Sequence, residues 1–485
     1  MTVFLFTINI WPGFKPSILD LSVVSAILIL SMLSLKALRI FGDALSFSYP
    51  ELSSSAFLLA APVAAGGILL EVTLGASSVF LFTMTFALLT GVFMQDSSLL
   101  LLLVIMGNIA GAVSVKECPR RSVFISAGLR VALINLVIML CFVLLQPQAS
   151  GSENTLRLVF MIVSGLLSGL VAAALTPILE YLGSYITDMK LMELASLDRP
   201  LLRELSVQAP GTWNHSMVIG QMGEAASEAI GANSLLTRVG AYYHDIGKMK
   251  NPAYFIENQG GKDNKHEKLT PSMSGLIIKA HVKHGVELAN QHRIPRQLID
   301  FIQEHHGTSL IGYFHDKALK EAEEDEVVEE ANYRYSGPKP QTKESGILML
   351  ADSVEASSRT LSDPTPAKIQ GLVQKMINKI FASGELDESE LTLKDLHLIA
   401  KEFTRVLQGI HHRRVEYSEP ADKTKQPEET KAESKQKLAL VKPDIKGEKS
   451  DRDSDSTGSK ETAGEGEDDK KSSKSDTDTL KRLGI

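Results

Sequence analysis

Cysteine is nearly missing from this sequence: 485 residues hold two, Cys118 and Cys141, both in the apolar half. The charged half therefore has no disulfide framework and no thiolate zinc site. Any metal held there must take imidazole and carboxylate ligands. A basic excess is lacking as well, since the net charge is −7. That argues against a dedicated binder of nucleic acid polymers, which carries a basic footprint. The N-terminal residues show neither a basic n-region nor a small-residue cleavage site, so they do not read as a signal peptide. Pro12 interrupts the apolar MTVFLFTINIW before it reaches membrane length. Aromatic residues disappear after Tyr417, where Lys, Glu, Asp, Ser and Thr dominate. Such a segment cannot bury a core, and residues 419–485 are expected to form a disordered tail.

Charge is scarce between residues 18 and 182, and most of it falls after Asp188. A chain split in this way is a membrane domain followed by a water-soluble one. Six apolar stretches, near 18–38, 52–70, 75–94, 98–115, 122–145 and 157–182, each approach the ~20 residues a helix needs to cross a bilayer. The expected layout is all-α: a short segment 1–17, a polytopic membrane domain 18–186 of about six spans, an amphipathic connecting helix 187–210, and a helical domain 211–418 before the tail. The loop Lys116–Arg121, Lys190 and Lys15 place both termini in the cytosol by the positive-inside rule, against Lys36 and Arg39. Inside the spans Asn108, Arg130 and Asn135 are polar, and Gly66-Gly67, Gly107, Gly111, Gly165 and Gly169 give small-residue spacings. Both features read as helix packing, and no ladder of acidic or paired charges points to a transporter.

In the charged half Asn233 or Ser234 is expected to cap a helix running to His244, and Thr270-Pro271 to open another through His281. Residues 316–331 read as an acidic, solvated helix. Five clusters carry chemistry: GTWNHS with His215, YYHDIGK with His244, Asp245 and Lys248, KAHVKHG with His281 and His284, QEHHGT with His305 and His306, and MLADSVEA with Asp352. Of the chain's 12 histidines, eight lie between Trp213 and His306. Histidine is the commonest metal-binding side chain, and one carboxylate can bridge two cations. A lone histidine is more often a hydrogen-bonded core residue, and His266, His292 and His397 are read so. His284 stays ambiguous, and His411-His412 read as surface or interfacial residues.

The segments GTWNHSMVIG, VGAYYHDIGKMKNPAYFIENQ, HVKHGVELA, FIQEHHGTSLIGYF, YRYSGPKPQTKES and ILMLADSVEASSRTL resemble the signatures of one family. It is the bacterial seven-transmembrane HD family, whose characterised members are cyclic di-AMP phosphodiesterases of the PgpH type. The resemblance covers residues 18–418 and implies a multi-pass protein of the bacterial cytoplasmic membrane with its hydrolase domain in the cytosol. It implies two divalent ions, iron or manganese. His215, His244, Asp245 and Asp352 would hold one, and His281, His305 and His306 the other, with Asp245 as the bridge. The large extracytoplasmic domain usual in that family is not in this sequence, and His284 replaces a different polar residue of many relatives. The implied reaction is hydrolysis of cyclic di-AMP to linear pApA.

Related HD hydrolases cleave cyclic di-GMP, guanosine tetraphosphate or deoxynucleoside triphosphates. The Gly-Tyr-Pro triplet of the cyclic di-GMP class does not follow QEHHGT here. A non-catalytic nucleotide receptor is the other alternative, although none of the implied ligands is missing. Lys248 reads either as a phosphate contact or as a surface lysine. The segment Tyr333–Lys343, with Tyr333, Lys339 and Lys343, reads as a cover that contacts substrate or as a plain connection. Tyr242, Tyr243, Tyr313 and Tyr333 are candidates to stack on adenine, or core residues. The expected partners are a cyclic dinucleotide and the lipid bilayer, and a homo-oligomer remains open.

Overall fold

A computed structural model describes residues 2–412 apart from 12–13, 50–52, 95–97, 117–119, 146–150, 184, 261–263 and 324–326. The whole of the expected tail, 419–485, and part of the Lys116–Arg121 loop lie outside the described residues. Among those described the chain is all-α, with a single isolated bridge between Leu310 and Arg334.

The N-terminal half contains α1 (Thr2–Ile10), α2 (Ile18–Ser48), α3 (Ser54–Leu58), α4 (Ala65–Leu74), α5 (Ala76–Phe93), α6 (Ser98–Val115), α7 (Val123–Leu145) and α8 (Gly151–Gly183). A reciprocal cap starts α2: Asp20 N–H donates to Ser17 Oγ, and Ser17 N–H to the Asp20 carboxylate. Helices α2, α5, α6, α7 and α8 are long and apolar enough to cross a membrane. Their outward faces carry large apolar side chains, such as Leu30, Val113 and Leu133, whose exposure suits lipid rather than water.

The stretch expected as the second span is not one helix. Pro62 lacks an N–H and cannot continue the turn before it, so the segment breaks into α3 and α4 around residues 59–64. Asn108 of α6 repairs the break. Its side chain accepts from Gly67 N–H at 2.7 Å and donates to Val63 C=O at 3.0 Å, fully buried. Non-helical backbone at this depth is tolerated where protein satisfies it. Asn135 similarly donates to Met161 C=O, tying α7 to α8, while Arg130 is exposed. The same pair of helices meets through glycine, since a Cβ on Gly169 would lie 2.3 Å from Phe124 C=O.

The connector is two short helices rather than one, α9 (Asp188–Leu194), capped by Thr187, and α10 (Pro200–Gln208), opened by proline. After them come α11 (Pro210–Ile230), α12 (Ser234–Tyr243), a run of 3-10 turns to Lys268, α13 (Pro271–Gln291), α14 (Arg296–Glu304), α15 (Gly312–Glu321), α16 (Lys343–Ser358), α17 (Pro366–Ala382) and α18 (Leu393–His412). Asn233 caps α12 and Thr270 caps α13 through their side chains, as the sequence suggested. Among its described residues the acidic segment is α-helical as far as Glu321. Further on, Glu330–Tyr333 forms a 3-10 turn. One apolar core joins the C-terminal helices and includes Ile219, Tyr243, Leu298, Leu350, Val373 and Phe403.

A candidate metal centre between α11, α12, α13, α14 and α16

His215 lies on α11, His281 on α13 and Asp352 on α16. The other four histidine and aspartate positions sit where helices stop. His244 is the C-cap of α12, and Asp245 follows it with non-helical φ and ψ. A 3-10 turn then folds Lys248 back, its N–H donating to Asp245 C=O. Glycine is required in this turn, because a Cβ on Gly247 would fall 1.8 Å from His281 C=O. That contact docks the turn on α13. His305 is the C-cap of α14, with His306 next and Gly307 at positive φ. Ending helices at the site frees adjacent residues to point into it from different directions.

Among the described residues three sets of donor atoms each draw together within 4.8 Å: His215, His244 and Asp352; His281, His305 and His306; and His244, Asp245 and His305, which overlaps the other two. The Asp245 carboxylate lies between the first two. Its Oδ2 is 3.2 Å from His244 Nε2 and 3.7 Å from His215 Nε2. Its Oδ1 is 3.4 Å from His281 Nε2 and 3.6 Å from His305 Nε2. Asp352 Oδ1 sits 3.0 Å from His215 Nε2, and its Oδ2 3.7 Å from His306 Nδ1.

These residues fit divalent cations in three respects. Asp245 Oδ1 and His244 Nε2 are buried with no hydrogen-bond partner, a state that costs stability unless a cation accepts their lone pairs. Three imidazoles are oriented by backbone carbonyls: His244 Nδ1 by Ala241 C=O at 2.7 Å, His281 Nδ1 by Ile278 C=O at 2.6 Å, and His305 Nδ1 by Ile302 C=O at 2.9 Å. Each Nδ1–H donates outward and leaves Nε2 facing the cluster. The donor set itself, imidazole and carboxylate without thiolate, suits first-row divalent metals.

Electrostatics agree. Burial pushes the His281 imidazole down to about 3, and burial also holds His306 low, so both keep their lone pairs. Burial opposes charge on His215 too, but Asp352 and Glu355 outweigh it and raise its pKa to about 9. These carboxylates favour positive charge at that place, whether a proton or a metal carries it. Asp352 and Asp245 are held well below the carboxylate range despite their burial. His215 lowers Asp352, and His244 with Lys248 lowers Asp245.

A cavity of about 450 Å³ opens over the cluster. Lys248 lines it, with Nζ 2.6 Å from Asp245 Oδ2, 2.9 Å from Glu257 Oε1 and 5.0 Å from the Phe255 ring centre. It is a half-buried cation that lines the cavity rather than a fully exposed lysine. Burial works against its charge, and the two carboxylates more than restore it.

The structure does not bring the other expected substrate contacts here. Tyr333 packs with Phe314 and Ala318 in a separate small cluster. Lys339 donates to Gly384 C=O, and Lys343 pairs with Asp395 at 3.0 Å. Tyr242 and Tyr243 are core residues, the latter donating to Leu194 C=O, and Tyr313 is exposed beside Phe314. The tyrosine that lines the cavity is Tyr335, stacked on His306 with ring centres 4.2 Å apart. Hydrogen bonds of Ile311 N–H to Tyr333 C=O and of Tyr335 N–H to Ser309 C=O stitch this segment to the loop after His306. Among the remaining histidines, His266 is buried and bonded to Tyr254 C=O, as read from the sequence. His292 and His397 are exposed instead of core, and His284 is half-buried outside all three donor sets. Sequence reasoning also passed over Glu355, whose Oε2 accepts from His215 Nδ1 at 2.6 Å. Its signal was its place one turn beyond Asp352 on α16.

A helical domain with five histidines and two aspartates converging on one pocket is of the HD class, and residues 212–357 match the HD domain family model. Residues 1–187 match the family described as "7TM receptor with intracellular HD hydrolase". The chain belongs to this seven-transmembrane HD family and is a membrane protein. It is 38% identical over 410 residues to the cyclic-di-AMP phosphodiesterase PgpH of Bacillus subtilis, covering 82% of this chain and 56% of that protein. It is 36% identical over 404 residues to PgpH of Listeria monocytogenes, covering 82% and 55%. The chain thus spans about half the length of these curated relatives. It is also similar to the crystal structure of the L. monocytogenes PgpH HD domain in complex with cyclic-di-AMP, at 44% identity over 44% of this chain and all of that one, with a TM-score of 0.43.

Proposed function

We propose that the chain is a membrane-anchored, metal-dependent phosphodiesterase that hydrolyses cyclic di-AMP to linear pApA on the cytosolic side of the bacterial cytoplasmic membrane. The observation that carries the metal assignment is the split Asp245 carboxylate, with one oxygen toward His215 and His244 and the other toward His281 and His305. His215, His244 and Asp352 would hold one divalent ion, and His281, His305 and His306 the second. Iron and manganese both suit these donors. Such ions, when bound, activate water and neutralise phosphoryl charge.

The protein's own groups supply the rest. Asp245 and Asp352 set the negative charge that retains cations. Lys248, fixed by Asp245 and Glu257, presents an ammonium to the cavity, where it can meet a phosphate oxygen. Tyr335 and Phe255 give the cavity an aromatic lining suited to a nucleobase or ribose. Adenine as the base rests on the relatives, 38% and 36% identical, which are named cyclic-di-AMP phosphodiesterases.

The test is kcat/KM for cyclic di-AMP, cyclic di-GMP and guanosine tetraphosphate on the full chain in detergent with manganese. Preference for cyclic di-AMP is expected. Preference for either guanine nucleotide would overturn the substrate, and two bound metals without turnover would favour a receptor.

A further inference from the structure

Among the five clustered histidines, His215 is held differently. His244, His281 and His305 donate from Nδ1 to neutral backbone carbonyls three residues back in their own segments. His215 Nδ1 instead meets a carboxylate, Glu355 Oε2, at 2.6 Å across the interface between α11 and α16. Glu355 is itself buried, 5% exposed, and does not rotate freely. Arg359, one turn further along α16, grips both of its oxygens: Nε lies 2.9 Å from Oε1 and 3.1 Å from Oε2, and Nη2 lies 2.7 Å from Oε1. Asp352, Glu355 and Arg359 follow at i, i+3 and i+7 along one face of α16, with Arg359 as its C-cap. The face thus supplies a candidate ligand, the carboxylate behind a neighbouring ligand, and the cation that fixes that carboxylate.

We infer that Glu355, clamped by Arg359, is a positioning residue for His215 and makes the His215 side the tighter of two cation sites. A carboxylate behind an imidazole fixes its tautomer and ring angle, and raises the electron density at Nε2. A backbone carbonyl does the first of these but, being neutral, less of the second. Carboxylate count points the same way. The His215, His244 and Asp352 set contains an aspartate, with Oδ1 3.0 Å from His215 Nε2. The His281, His305 and His306 set contains none and meets Asp352 only through His306, at 3.7 Å, besides the shared Asp245. Removing a partner of this kind weakens metal binding about 10–100-fold in other metal sites. The inference rests on the two-cation reading and deepens it, since two otherwise similar sets of donors become unequal.

The test is manganese titration of the full chain in detergent, stripped with chelator, by calorimetry with metal content as a check. The parent should bind two ions in resolvable steps. Glu355→Ala should weaken the tighter step by about 10–100-fold and leave the weaker one in place. Glu355→Gln, which keeps an acceptor for Nδ1–H but not the charge, should recover part of that loss. Arg359→Ala should give a smaller loss in the same step, because it frees the carboxylate without removing it. His281→Ala should act on the weaker step. Circular dichroism of each variant should match the parent. A Glu355→Ala chain that is folded and binds both ions with parental affinity overturns the relay alone, and so does an effect confined to the weaker step. A parent that binds no ion, or one, removes the two-cation reading and the relay with it.

Discussion

Asp245 concentrates the account at the scale of single residues. Each of its oxygens faces a different donor set, so the charge lost in Asp245→Asn would be missed by both. His306 belongs to one set only. Asp245→Asn should therefore lose more than one equivalent of bound metal, His306→Ala at most one, and the exposed His292→Ala none. Elemental analysis of the three purified chains measures this, and two full equivalents on Asp245→Asn would remove the bridge. All seven residues that converge on the pocket stood out in the sequence, because the clusters that carry them resemble the signatures of the HD family. Glu355 and Arg359 did not, since an acidic or basic residue on a helix face looks solvated until the helix is packed. Tyr335 was missed for another reason. In a fully extended segment Tyr333 and Tyr335, two residues apart, would share a face. Tyr333 instead ends a 3-10 turn that the sequence did not announce, so Tyr333 packs with Phe314 while Tyr335 lines the cavity.

At the scale of elements, helices α12 and α13 were foreseeable from their caps: Asn233 and Thr270 cap where the sequence placed them. The break between α3 and α4 was not, because apolar content alone reads AFLLAAPVAAGGILL as a span. Pro62 was the available signal. The physical consequence is a set of backbone groups without helical partners, two of which Asn108 satisfies. Asn108→Ala would leave Gly67 N–H and Val63 C=O unpaired, at about 1–3 kcal/mol for each buried group. The thermal midpoint of the detergent-solubilised variant should fall by several degrees. An unchanged midpoint would mean that this contact does not hold the broken element.

For the whole molecule, the number of crossings decides where the two ends lie. Five long helices are even in effect only if α3 and α4 together make a sixth crossing. Reporter fusions after Lys15 and after Tyr417 should then both read as cytosolic, whereas opposite sides would make the pair re-entrant. The reading of one chain as anchor and hydrolase combined stands or falls on metal-dependent turnover. The most direct measurement follows linear pApA formed from cyclic di-AMP by the full chain in lipid nanodiscs, after chelation and again after manganese is restored, beside Asp245→Asn. The account predicts no product after chelation, recovery with manganese, and a loss of at least a hundredfold in Asp245→Asn, in line with about 3 kcal/mol of lost stabilisation. Turnover that survives chelation, or an Asp245→Asn chain as active as the parent, would contradict it.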